Sequence, residues 1–281
     1  MKILIVGSKG MAGHIIYNYF KENSNFTIVD IARGTAFHTP TYQLDVTNFE
    51  ALRHILIDEK PNFVINCIGV LNQYAENHPD NAILLNSYLP HFLAKNGNEL
   101  NYKLIHISTD CVFSGKEGGY TEDSYKNGTG FYATTKALGE VAYGENITLR
   151  TSIIGPELKN NGIGLLDWFL NQKGDINGFS NAFWTGITTL ELAKAILEAI
   201  HQDISGLHHL VNDKKVNKYE LLNLFKKTFE RSDINIISNS DYYVDKSLIR
   251  TNFDFNYQVA DYEVMMQELK EWISNHPNLY N

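Results

Sequence analysis

The chain has 281 residues, 43% hydrophobic and 20% charged, which is length enough for one large domain or a domain with an appended lobe. Its formal net charge of −8 argues against non-specific binding to nucleic acid or anionic membrane, though a local basic pocket for a phosphate-bearing ligand remains compatible with it. The only two cysteines, Cys67 and Cys111, fit a reducing cytoplasm better than a disulfide-stapled fold, and no run approaches the roughly 18 apolar residues of a membrane span.

Residues 3–6, a short Ile/Leu/Val run, are expected to form a strand buried on both faces. Helical periodicity follows over 11–22, then a strand at 26–29 closed by Asp30. A helix is predicted over 49–59, stopped by Pro61, and a strand over 63–66. A helix over 81–96, a strand over 104–107, a helix over 129–143 and a strand over 147–151 complete the first half. Strands alternating with helices imply right-handed crossovers and a parallel sheet. The first half is therefore a doubly wound α/β domain of Rossmann type, with ligands beyond the carboxyl ends of its strands. After residue 151 the pattern loosens. Gly155-Pro156 and Asn160-Asn161-Gly162-Ile163-Gly164 are loop signals. Helices are expected over 190–200, 219–229 and 265–273, and a strand over 208–211. The organisation expected is a nucleotide-binding domain over 1–155 with a return segment near 186–212. A smaller, discontinuous lobe over 156–185 and 213–281 would form the substrate side.

Gly7, Gly10 and Gly13 form G-x-x-G-x-x-G between the first strand and the first helix. Gly7 permits the tight turn, Gly10 lets backbone approach a pyrophosphate, and Gly13 allows close helix packing. The helix N-terminus adds N–H donors and a positive dipole. Asp30 is placed to meet adenosine ribose hydroxyls, and Arg33, three residues on, to meet a 2′-phosphate. Those two features pull in opposite directions, so NAD and NADP both stay open. Asp45 and Val46 would lie near the adenine, unless Asp45 or Thr47 caps the next helix. Tyr132 and Lys136, four apart, share one helix face. An ammonium beside a phenol lowers its pKa, so the tyrosine could exchange a proton with a substrate oxygen. Cys111 reads as a reactive thiol or, more blandly, as a small partly buried residue.

The glycine loop, Leu44-Asp45-Val46, Asn66-Cys67-Ile68-Gly69, the run His106 to Gly115, the Tyr132/Lys136 pair and Arg150-Thr151-Ser152 together resemble the extended short-chain dehydrogenase/reductases. Ser-Thr-Asp-x-Val-Phe-x-Gly, from Ser108, is similar to the dTDP-4-dehydrorhamnose reductase branch. The resemblance implies an NAD(P)-dependent oxidoreductase reducing the 4-keto group of a nucleotide-linked deoxysugar for polysaccharide biosynthesis, with NADPH favoured. It gives Tyr132 the role of proton donor and makes Lys136 both holder of the nicotinamide ribose and pKa-lowering partner. Thr109 would bind the carbonyl oxygen, with Ser108 in support. Gly7, Gly10, Met11, Gly13, Asp30, Arg33, Asp45, Val46, Cys67, Ile68 and Gly69 would line the cofactor. Val70, Asp110 and Ile153 would face the sugar, Asn86 matches a family asparagine, and no metal is implied.

Three departures surround the sugar pocket: Gly130 two residues before Tyr132, Ile153 where the branch has tryptophan, and residues 70–76 without the usual aspartate-lysine. The alternatives are an epimerase of the same superfamily and a non-catalytic regulatory subunit like the one that partners methionine adenosyltransferase. Dehydratases typically carry Asp-Glu after the threonine, so Asp110-Cys111 argues against dehydration. A homodimer through the Tyr132 helix is consistent with Ala137, Leu138 and Val141, which read equally well as core.

Overall fold

The computed structural model describes residues 1–158 and 162–280; the loop-signal residues Asn160 and Asn161 lie outside them. The elements are β1 (Lys2–Val6), α1 (Met11–Asn23), β2 (Thr27–Ala32), β3 (Tyr42–Gln43), α2 (Phe49–Glu59), β4 (Phe63–Asn66), α3 (Asn72–Asn77), α4 (Pro79–Ala82), a π-helical turn (Ile83–Tyr88) and α5 (Leu89–Leu100). They continue with β5 (Lys103–Thr109), a 3₁₀ turn (Asp110–Val112), α6 (Gly130–Leu138), β6 (Ile147–Thr151), β7 (Ile153–Ile154), α7 (Leu165–Leu170), β8 (Gly174–Trp184) and β9 (Ile187–Thr188). The last are α8 (Thr189–Gln202), β10 (Gly206–His209), β11 (Val216–Asn217), α9 (Lys218–Thr228), β12 (Ile234–Asp245), α10 (Tyr262–Asn275) and α11 (Pro277–Tyr280).

Seven strands form a parallel sheet in the order β10-β6-β5-β4-β1-β2-β3. Alternation along β1 explains its burial on both sides. Ile3 and Ile5 join α1, α8, α9 and α10 in one core, while Leu4 and Val6 join α2 and α5 in the other. The order reverses between β1 and β4, which opens a crevice at their carboxyl ends. The first core runs without a break from β1 to Phe225 of α9 and Leu269 of α10, so the C-terminal elements share the sheet's core.

Several expectations are corrected. β2 continues through Asp30 to Ala32, so that aspartate lies inside the strand. The helix expected over 81–96 is instead α4, the π-helical turn and α5. Pro90 has no N–H to give to the carbonyl of Asn86, and its ring would clash there, so the chain widens just before it. The helix expected to reach residue 143 ends at Leu138 with Gly139 as its cap. Gly139 sits so close that an added Cβ would lie 1.8 Å from the Asn86 carbonyl oxygen. Val141 is core, whereas Leu138 is exposed. β8 and β12 escaped the sequence reading altogether. They are strands of eleven and twelve residues that pair in parallel with one register shift, and polar residues, glycines and apolar ones are mixed along both, so neither shows a clean alternation. No helix among the described residues is long and apolar enough to cross a membrane.

Candidate active site

The glycine loop closes tightly over β1. Gly7, at φ +92°, donates to the Ile31 carbonyl at 2.9 Å, and Gly10 donates to the Gly7 carbonyl at 3.1 Å. A Cβ on Gly13 would sit 2.1 Å from that same Gly7 oxygen, so only glycine fits. α1 begins with no side-chain cap and no acidic residue in its first turn, so its N–H groups face the crevice unneutralised. Ile68 and Cys67 wall the loop within van der Waals reach of Gly7, and burial pushes the Cys67 thiol up to about 12. Both cysteines are free thiols. Met11 packs toward Gly164.

Asp30, expected to meet ribose hydroxyls, is hydrogen-bonded within its own loops. It is 1% exposed, and its two oxygens accept from Ser8 Oγ (2.5 Å), His38 Nε2 (2.8 Å), Thr41 N (2.9 Å) and Thr41 Oγ1 (3.0 Å). Those four donors fill the roughly four acceptor positions of a carboxylate. Burial works to raise its pKa, but His38, Ser8 and Thr41 outweigh it and hold the group below the usual range. Arg33, by contrast, is exposed, 3.9 Å from the Asp45 carboxylate. Lys9 reaches across to the Gly34 carbonyl beside it. Asp45 binds Thr47, while the cap of α2 is Asn48, neither of the two residues expected. Val46 is buried in the core below.

Thr109 ends β5, and its hydroxyl accepts from Cys111 N at 3.1 Å. Strand alternation turns Ser108 to the opposite side, where its hydroxyl donates to Glu140 at 2.7 Å; the expected support for Thr109 is absent. Tyr132 is half-buried against Val70, Ala75 and Ala82. Its N–H donates to Glu76 Oε1 at 3.2 Å, tying α3 to the start of α6. Gly130, at φ +87°, is required at that junction: a Cβ there would approach the same Glu76 oxygen to 2.7 Å. Asn86 clamps Val70 through both its N–H and its carbonyl and donates on to Thr135 at 3.1 Å. Ile153 is half-buried in the small β7-β9 ladder.

The expected lowering of the tyrosine pKa is also corrected. Lys136 Nζ turns down to the Ile107 carbonyl at 2.7 Å and lies 3.4 Å from His106 Nε2. Tyr132 is pushed above its ordinary value by burial and by the charges of Cys111 and Asp110, against the Thr109 hydroxyl. Lys136 is lowered by burial to about 8, with Glu140 opposing.

The facing wall comes from residues that the sequence did not flag. Lys218 Nζ lies 4.8 Å over the Trp184 ring, and burial lowers it to about 8 against the pull of Asp110 and Cys111. Lys246 donates to Cys111 Sγ at 3.3 Å. Burial and Asp110 raise that thiol to about 11, against Lys246 and Thr109. Neither lysine carries a sequence signal, because each is brought to Asp110 by the C-terminal elements alone. Contacts thus link the glycine loop to Ile68, Val70 to Tyr132 and Tyr132 to Thr109, with two lysines beside the neighbouring Asp110 and Cys111.

Residues 1–246 match the family described as RmlD substrate binding domain. Methionine adenosyltransferase 2 subunit beta of Bos taurus is 27% identical over 78% of this chain and 70% of its own length. The dTDP-4-dehydrorhamnose reductase of Escherichia coli (strain K12) is 26% identical over 85% of this chain and 82% of its own. Among solved structures, dTDP-4-dehydrorhamnose reductase from Bacillus anthracis in complex with NADP superposes with a TM-score of 0.81 at 18% identity, covering 96% of this chain and 99% of that one. UDP-glucose 4-epimerase from Thermotoga maritima gives 0.80 at 14% identity, covering 99% and 100%. At these identities the two structures share the fold.

Proposed function

Because this chain belongs to the RmlD substrate binding domain family, we propose that it is an NAD(P)H-dependent reductase of the 4-keto group of a nucleotide-linked deoxysugar. The observation that supports this reading is Tyr132 beside Thr109 at the end of β5, with an uncapped helix N-terminus behind three glycines. That helix end and the close Gly13 packing fit a dinucleotide pyrophosphate. A reduced nicotinamide, when bound, supplies a hydride to the carbonyl carbon. This chain's own residues handle the oxygen. Thr109 donates to it as charge develops. Tyr132, kept protonated by its buried setting, hands over the phenolic proton. Lys136 holds the ribose, and Lys218 and Lys246 face the sugar-nucleotide side. Purified protein is expected to oxidise NADPH, followed at 340 nm, only when given a 4-keto-6-deoxy sugar nucleotide.

The similarity to methionine adenosyltransferase 2 subunit beta favours one second reading, a cofactor-binding regulatory subunit. Tight NADPH binding with no turnover across a panel of sugar nucleotides would select it. An epimerase would turn over without net NADPH consumption.

For the coenzyme, NADPH is favoured. Asp30 is committed to its own loop, while Arg33, exposed and only loosely paired with Asp45, and Lys9, on the Gly34 carbonyl, stand at the same edge. Arg33→Ser is expected to raise the KM for NADPH about tenfold, the size of one charge-assisted hydrogen bond, and to leave that for NADH nearly unchanged. An equal rise for both coenzymes would remove Arg33 from the 2′-phosphate.

A further inference from the structure

Beneath the site a buried polar chain runs up to Lys136: Asn66 at the end of β4, His106 in β5, and Lys136 in α6. Its hydrogen bonds constrain where the protons on Asn66 and His106 sit. Asn66 Oδ1 accepts from the Ile68 N–H at 3.1 Å, so the side-chain amide nitrogen is the atom turned toward His106 Nδ1, at 3.2 Å. That amide nitrogen can only donate, which makes Nδ1 an acceptor. His106 is fully buried and kept neutral chiefly by that burial, so its single ring proton sits on Nε2. Nε2 is the atom 3.4 Å from Lys136 Nζ.

An ammonium has three N–H groups and no acceptor, so facing an N–H leaves two donors opposed. A neutral amine has a lone pair for that N–H and still donates to the Ile107 carbonyl. We propose that Asn66 locks His106 as its Nε2–H tautomer and that this N–H selects the neutral amine at Lys136, making His106 a positioning residue for the site's lysine. The other groups around Lys136 do not reverse this. Glu140, one turn on along the chain, favours the ammonium but is held by Arg150 and Ser108. Asp110 and Cys111 face Tyr132 and Lys218, and Glu76 lies at the far end of α6. Burial acts on Lys136 in the same direction, lowering it to about 8. Lys136 then gains or loses its charge within the working pH range, so that anions bind the site more weakly as pH rises through the lysine's midpoint.

The proposal rests on the reading that Lys136 lines the cofactor site, but its test needs neither cofactor nor turnover. In ¹⁵N-histidine-labelled protein, His106 is expected to show a proton on Nε2 and none on Nδ1. In protein labelled at lysine Cε, His106→Phe, which removes the N–H without adding charge, is expected to raise the Lys136 titration midpoint by about one pH unit or more. A proton on Nδ1 in the wild-type chain, or an unmoved or lowered midpoint in the variant, overturns it. Absent turnover alongside the expected spectra would remove the reductase reading alone.

Discussion

Tyr132→Phe is expected to lower kcat by about 10²- to 10⁴-fold, the range for loss of a general acid, while NADPH affinity stays within about twofold. The ring's packing against Val70, Ala75 and Ala82 is retained by phenylalanine, so the fold is not at stake. What disappears is the hydroxyl that partners Thr109 and carries the proton. Steady-state kinetics at 340 nm, with coenzyme binding followed by fluorescence, separate these quantities. Full activity in this variant would sink the reductase assignment with Tyr132 as its proton donor. The raised tyrosine pKa gives the sign of the pH dependence. A donor must be protonated, so Tyr132 keeps its proton across neutral pH and any loss of rate near pH 8 belongs to another group.

The second large effect lies in the packing behind the site. Arg150 is 1% exposed and grips both oxygens of Glu140, at 2.7 Å each, while its other nitrogen meets the Glu122 carbonyl and His209 Nε2. Arg150→Met is expected to destabilise the chain by about 3–5 kcal/mol, since it strands Glu140 in the interior with Ser108 and Lys126 as its remaining partners. In a chain of this size that is a fall in Tm of roughly 10 °C. Adding Glu140→Leu should recover much of the loss, because an uncompensated charge costs more than the pair contributes. Calorimetry on the three variants checks this; a double variant as unstable as the single one would show that the guanidinium acts by packing alone.

Local chemistry made the first half of the chain legible. The β-branched runs, the glycine spacing and the amphipathic periods each specify an element from neighbouring residues. Position within an element was less legible. The four-residue spacing placed Tyr132 and Lys136 on one face but could not say that the lysine bends down to Ile107. Alternation along β5 already separated Ser108 from Thr109, and Gly139 already marked the end of α6; both signals were present and outweighed by the motif around them. The rest was set by distant chain. Asp30 is claimed by Thr41 and His38 only because the loop after β2 folds back, and Lys218 and Lys246 arrive from residues more than a hundred positions away from Asp110. β8 and β12 stabilise each other through backbone pairing that polar side chains do not announce.

The four donors gathered on Asp30 bear on how this protein could be re-engineered. In a dinucleotide-binding fold the acidic residue of the second strand is the one that meets the ribose 2′-hydroxyl of NAD, so it is the natural place to edit coenzyme preference. Here that carboxylate fastens the glycine loop, through Ser8, to the edge loop, through Thr41 and His38. It behaves as a rivet between two segments, and rewriting it would loosen both before it rewrote any preference. The freedom to redesign is confined to the few exposed positions from Arg33 onward, where side chains can change without disturbing what holds the loop in place.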